Sequence, residues 1–174
     1  VKKVRVDGGP SVTLADSAGA GYGIAWLDDG TLVYTDAALL GLRRVPAAVG
    51  ATSLPLPDRL LGGLAPMLAT PLPGSRGVLF QVCASNCVTT SLHVLDLRTG
   101  TQKLLVDGAS MGWYLPTGQL LYLRPDGVAA VAPFDLSRLA LRGAATPVLQ
   151  GVPVVGNRIV LAWARSGKLM YGIA

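Results

Sequence analysis

The sequence contains no glutamate; all ten of its acidic residues are Asp. A strong helix former is missing and the acid that favours turns is kept, which argues against a helical fold. Charged residues make up only 14% of the chain, too few for disorder, while 51% hydrophobic residues supply one sizeable core. No stretch of about 18 apolar residues runs free of Gly, Pro or charge, so no membrane span is expected. The opening Val1-Lys2-Lys3-Val4-Arg5-Val6 has no apolar run or cleavage site behind it. It reads as a strand cut from a longer chain rather than a signal peptide. The 15 Lys and Arg form no run between Lys2 and Lys168, so the net charge of +5 attracts anions weakly and implies no specific nucleic-acid partner. His93 is the one histidine, and any Ser-His-Asp triad or histidine general base must use it.

What is abundant is turn chemistry: 22 Gly and 12 Pro interrupt the 174 residues and make an all-β chain the expectation. Four segments repeat an apolar stretch, a polar turn with Gly, and an apolar strand carrying an aromatic. They are Trp26 to Tyr34, Thr70 to Phe80, Tyr114 to Tyr122 and Trp163 to Tyr171. Their turn glycines, Gly30, Gly74, Gly118 and Gly167, are 44, 44 and 49 residues apart. That period suits a four-stranded propeller blade.

A second hairpin recurs between these anchors, at Val4 to Leu14, Leu42 to Leu54, Ser91 to Val106 and Val128 to Leu149. Each unit is therefore two hairpins in series. The expected fold is a single β-propeller domain or segment over 1–174, built of four-stranded antiparallel blades, with blade parts at 1–14, 22–54, 67–106, 111–149 and 158–174. The phase gives half a blade, three blades and half a blade, about four blade-equivalents. Joined within one chain, the halves would close a cramped four-bladed ring; joined between two copies, they would form composite blades and an eight-bladed ring; the remaining reading is an arc of a longer propeller. A homo-oligomer through composite blades is the expected partner. Within the insertion Phe134 to Gly143, Asp135 to Leu141 is expected to be one helical turn or an extended loop. Pro55 to Pro66 is expected to be irregular, and Ser17 to Gly23 a flexible inter-blade loop.

Trp26 with Asp29-Gly30 and Leu32-Val33-Tyr34 resembles the Trp-Ser-Pro-Asp-Gly signature of TolB-like (WD40-like) β-propellers, with Leu27-Asp28 in place of Ser-Pro. Val4 to Leu14 and Ser91 to Leu105 are similar to propeller segments that follow the kinase domain in some bacterial serine/threonine kinases. The resemblance implies a bacterial binding or scaffold propeller that contacts a protein or small-molecule ligand through loops at the channel mouth. It implies a cytoplasmic location for an isolated chain and an extracytoplasmic one for a receptor-kinase ectodomain, and it carries no catalytic residue across. Neither a Gly-rich nucleotide loop ahead of a strand Lys nor Asp-Phe-Gly is present, so kinase activity is excluded.

The competing class is a hydrolase of esters or phosphoesters on the same ring. Gly108-Ala109-Ser110-Met111-Gly112 matches the pattern of a nucleophilic serine, but the strand Trp113 to Pro116 follows where a helix is required. Ser110 reads better as part of an inter-blade loop. His93 lies in a strand whose alternation puts Leu92 and Val94 on one face and His93 with Leu95 on the other; a half-buried strand histidine is the plain reading. Cys83 and Cys87 bracket a hairpin tip and are read as free thiols first, ahead of a disulfide and of a zinc site with His93. No cofactor is expected. Under the hydrolase alternative, a divalent metal such as zinc would use Cys83, Cys87, His93 or Asp96, or copies of His93, Asp36 and Asp96 meeting on a dimer axis. Asp28-Asp29-Gly30 and Arg124-Pro125-Asp126-Gly127 are turns rather than calcium loops. Trp26, Trp113 and Trp163 are expected to fill the wedges between blades ahead of stacking on a ligand.

Overall fold

The computed structural model describes the chain except residues 17, 20–22, 39–40, 57–63, 85–86, 88, 156–157, 160, 165 and 173–174. Its strands, in order, are β1 (Lys2–Lys3), β2 (Val12–Thr13), β3 (Ile24–Trp26), β4 (Thr31–Thr35), β5 (Leu42–Pro46), β6 (Leu54–Pro55) and β7 (Ala65–Pro71). There follow β8 (Gly77–Ala84), β9 (Thr89–Asp96), β10 (Gln102–Asp107), β11 (Met111–Leu115), β12 (Gln119–Leu123), β13 (Ala129–Asp135), β14 (Ala140–Leu141) and β15 (Thr146–Leu149). The last four are β16 (Val154–Val155), β17 (Arg158–Ile159), β18 (Leu161–Trp163) and β19 (Leu169–Tyr171). Among the described residues there is no α-helix, only a 3₁₀ turn at Pro73–Ser75. Among these residues no helix is long and apolar enough to cross a membrane.

Three sheets are meanders with every neighbour antiparallel: β3-β4-β5-β6, β7-β8-β9-β10, and β11-β12-β13-β15 with β14 at the far end of β13. β1–β2 and β18–β19 are two-stranded sheets at either end of this series. The turn glycines enforce the hairpins. Gly30, Gly74, Gly118 and Gly167 all have φ between 65° and 81°, a region costly to a residue with a Cβ. Gly30 donates its N–H to the Leu27 carbonyl and Gly118 to that of Leu115, both at 3.0 Å.

The sheets stack face to face. Strand β8 shows why: Gly77 to Cys83 are all buried, because both of its faces are covered. Val78, Phe80 and Leu95 pack against Ala25, Val33 and Leu42 of the preceding sheet. Leu79, Leu92 and Val94, on the opposite face, pack against Leu120, Ala130 and Phe134 of the following one. Leu14 meets Leu32, Tyr34 and Val45 at the first junction, and Leu161 with Trp163 meets Leu121, Leu123 and Ala129 at the last. Sheets joined in sequence, each sandwiched between its neighbours, form the radial stack of a β-propeller.

Several expectations are corrected. Phe134 to Gly143 is neither a helical turn nor an open loop. β13 runs on to Asp135 and returns as β14, pairing Phe134 with Leu141 and Asp135 with Ala140. The turn holds because Asp135 Oδ1 accepts the backbone N–H groups of Ser137 and Arg138 at 2.9 and 3.0 Å. Leu139, at φ 52°, is inserted into the core. The first hairpin is shorter than its alternation suggests. β1 covers Lys2–Lys3, while Val4 and Val6 are exposed in the connection to β2, beside an exposed Arg5–Asp7 ion pair. The stretch Pro55 to Pro66 and the loop Ser17 to Gly23 lie in large part outside the described residues.

Candidate functional site

The first strand of each sheet lies toward the hub. β3 and β7, and β7 and β11, are in direct contact across successive sheets. Buried threonines tie successive sheets together. Thr35 Oγ1 donates to the Pro66 carbonyl at 2.8 Å, and Thr70 Oγ1 to the Gly112 carbonyl at 2.7 Å. A Cβ at Gly112 would lie 2.5 Å from Leu92 Cδ2, so any other residue there would have to displace the Leu92 side chain. Turn also meets turn: Asp28 Oδ2 accepts the Gly74 N–H at 2.6 Å, and Asp29 N donates to Ser75 Oγ at 2.9 Å. The Asp28-Asp29-Gly30 segment thus joins two neighbouring sheets.

Between β3, β7, β11 and β18 lies an axial groove of about 920 Å³. Its walls are apolar and aromatic: Ile24, Leu68, Met111, Trp113, Tyr114 and Trp163. A β-bulge between Met67 and Thr70 shapes one wall. Leu68 sits there at φ 53°, and Gly23 approaches so closely that a Cβ would stand 3.1 Å from Leu68 Cα. Bulges of this kind re-aim a side chain, here Leu68 into the groove. The tryptophans are only partly the wedge fillers expected. Trp113 and Trp163 pack against the Leu121 cluster yet also line the groove, and Trp26 is 55% exposed. The alternation of β3 explains this: Ala25 turns into the core, so Ile24 and Trp26 turn away from it.

The chemically capable residues lie elsewhere and apart. Ser110, between β10 and β11, is buried, and its hydroxyl is 3.4 Å from Thr90 Oγ1. His93 pairs with Phe80 across the β8–β9 ladder, three residues along β9 from Thr90, or about 10 Å of strand. His93 Nε2 is 2.9 Å from Ser91 Oγ, and its ring stacks on Phe80 with centroids 5.6 Å apart. Burial pushes the imidazole below its ordinary value, which favours the neutral ring. Nothing in this arrangement places His93 beside Ser110.

Cys83 and Cys87 form a disulfide, with Cα atoms 4.7 Å apart, which overturns the expectation of free thiols. The hairpin tip brings the two sulfurs together, and bonded sulfurs have no thiolate to offer a metal. Cys83 pairs with Thr90 and Phe80 with His93, so His93 is three residues down the ladder from Cys83. Asp96 is engaged by Arg76 at 2.5 Å and accepts the Arg98 N–H at 2.9 Å. The Arg76 guanidinium, aided by the turn amides, holds its carboxyl down at about 2. Asp36 pairs with Ala18 in an isolated bridge, and its N–H donates to the Gly41 carbonyl at 3.0 Å. Among the described residues no three His, Cys or Asp side chains gather as a metal site.

Of the groove residues, Leu68 carries no sequence signal, and Met111 falls at a variable position of the Gly108 to Gly112 pattern. Tyr114 opens the third repeat, where a recurring aromatic fits a wedge filler equally well.

No family model matches this sequence, and no curated protein matches it significantly. Solved structures do resemble the fold. Puromycin hydrolase is 18% identical over 98% of this chain and 31% of its own, with a TM-score of 0.66; a mutant of that enzyme complexed with PGG gives 0.67 over the same shares. Apo AztD from Citrobacter koseri is 12% identical over 88% of this chain and 39% of its own, with a TM-score of 0.58. The chain thus spans about a third of the length of the proteins it resembles. The likeness is one of fold, and it agrees with the radial stack of sheets: the chain is all-β and propeller-like.

Proposed function

We propose that this chain is a TolB-like propeller segment with a binding rather than a catalytic role, its ligand or partner held in the axial groove. The groove itself carries the reading: its aromatic walls are assembled from four successive first strands. The residues that hydrolysis would need support it from the other side. Ser110 is buried beside Thr90, His93 beside Ser91 and Phe80, Asp96 is held by Arg76, and the cysteines are bonded to each other. The hydrolysis named for puromycin hydrolase is not carried over, because this chain covers a minor part of that protein.

The neutral dye N-phenyl-1-naphthylamine is expected to bind and brighten, and Trp113→Ala with Trp163→Ala is expected to weaken it about tenfold. A screen of ester and phosphoester substrates, with and without chelator, is expected to give only background turnover. Turnover that disappears in His93→Ala or Ser110→Ala would establish the hydrolase alternative instead.

The same reading includes self-association. Among the described residues the outer edges of β1 and β19 are unpaired, and Met170 and Tyr171 are 76% and 41% exposed. Open edges of this kind pair readily with another strand. Joined between two copies, they would make composite blades and an eight-bladed ring. Light scattering is expected to give twice the chain mass at tens of micromolar; a monodisperse monomer there would remove this part of the proposal.

A further inference from the structure

Building on the reading of the axial groove as a binding site, we infer that it takes an apolar, aromatic organic cation, seated against Trp113 and Trp163 and countered by Asp28. Among the described residues lining the groove, Asp28 is the one charged side chain, an anion in a chain of net charge +5. Asp28 Oδ2 is engaged by the Gly74 N–H, which fixes the carboxylate at the rim, while Oδ1 has no protein partner among the described residues. Thr70, the other polar side chain on that wall besides the Tyr114 hydroxyl, has committed its proton to the Gly112 carbonyl.

These features discriminate between ligand classes. An anion would meet Asp28 and find no Lys or Arg among the described lining residues. A sugar needs several polar side chains, and the lining offers few. A neutral apolar ligand would take water from the carboxylate and return nothing for it. A cation satisfies both parts of the wall, since an indole face attracts positive charge through its quadrupole and the carboxylate attracts it directly. The overall positive charge opposes entry only at long range. At physiological ionic strength it is screened beyond about 8 Å, whereas Asp28 and the indoles act at contact.

The test is ligand-observed NMR on the full chain at physiological salt, with benzyltrimethylammonium against its uncharged isostere neopentylbenzene. The cation is expected to bind about tenfold more tightly. Asp28→Asn keeps an oxygen for the Gly74 N–H, and it is expected to cut that preference to about threefold, by weakening the cation and by relieving the desolvation that neopentylbenzene meets at the carboxylate. Trp113→Leu is expected to weaken both probes. Equal or tighter binding of neopentylbenzene, or an unchanged cation affinity in Asp28→Asn, overturns the cation assignment. If neither probe binds while N-phenyl-1-naphthylamine still does, the cation class fails and the binding site stands. If none of the three binds, the binding reading fails with it.

Discussion

Phe80→Ala is expected to lower the unfolding free energy by about 3–5 kcal/mol, a large share of what a domain of this size possesses. Phe80 is fully buried on the face of β8 that meets the preceding sheet, among Ala25, Val33 and Leu42, with the His93 ring stacked on it. The backbones on both sides of the space it fills are fixed by ladder hydrogen bonds, so the sheets cannot close over the cavity. Urea denaturation measures the loss. Val148→Ala is the control: its side chain is 48% exposed on β15, and a change within about 0.5 kcal/mol is expected. A loss below about 1 kcal/mol for Phe80→Ala would mean that the two sheets do not pack face to face at this point.

Arg76→Met is the second large effect, expected to cost about 2–3 kcal/mol and to reshape the acid limb of stability. Removing one partner of a buried ion pair typically costs 3–5 kcal/mol. The Arg76 and Asp96 side chains retain 14% and 12% exposure, which places this pair at or below the low end of that range. Arg76 also donates to the Ser137 carbonyl at 3.0 Å, and Lys103 to that of Arg138 at 3.1 Å, so the β13–β14 turn is fastened to the preceding sheet from two points. The sign of the pH effect follows from the depressed Asp96 carboxyl. Its contribution is fully present above the ordinary value of 3.8 and is lost as pH falls through about 2. At about 1.4 kcal/mol per pKa unit, the contribution is about 2 kcal/mol. In Arg76→Met the carboxyl keeps only its turn amides, so its titration moves back up and the wild-type advantage narrows between pH 4 and pH 2, the window set by those two values. Denaturation curves at pH 7, 4 and 2.5 measure it. An unchanged difference between the two proteins across that range would show that the pair does not couple to folding.

Turns and strand faces were legible in the sequence because both are local. A glycine at positive φ reverses the chain whatever surrounds it, and Gly30, Gly74, Gly118 and Gly167 could be placed from spacing alone. Alternation put Leu92 with Val94 and His93 with Leu95, and in the structure Leu92 and Val94 pack toward the following sheet while buried Leu95 and half-buried His93, against Phe80, face the preceding one. The reading failed where a local pattern had two outcomes. Asp135 to Leu141 has the residues of a helical turn, and only the continued pairing with β13 made it a hairpin. Trp26 has the size of a wedge filler, and its exposure followed from the packing of Ala25.

The sequence by itself determined an all-β chain of repeated hairpins with a blade-sized period, because glycine geometry and two-residue periodicity act over a few residues. Which reactive groups would meet was decided by the tertiary structure alone. Arg76 finds Asp96 twenty positions on, Thr70 reaches Gly112, and Ile24, Leu68, Trp113 and Trp163 converge from four different strands. Such meetings depend on register and on the order in which sheets stack, and neither is encoded in any short window of residues.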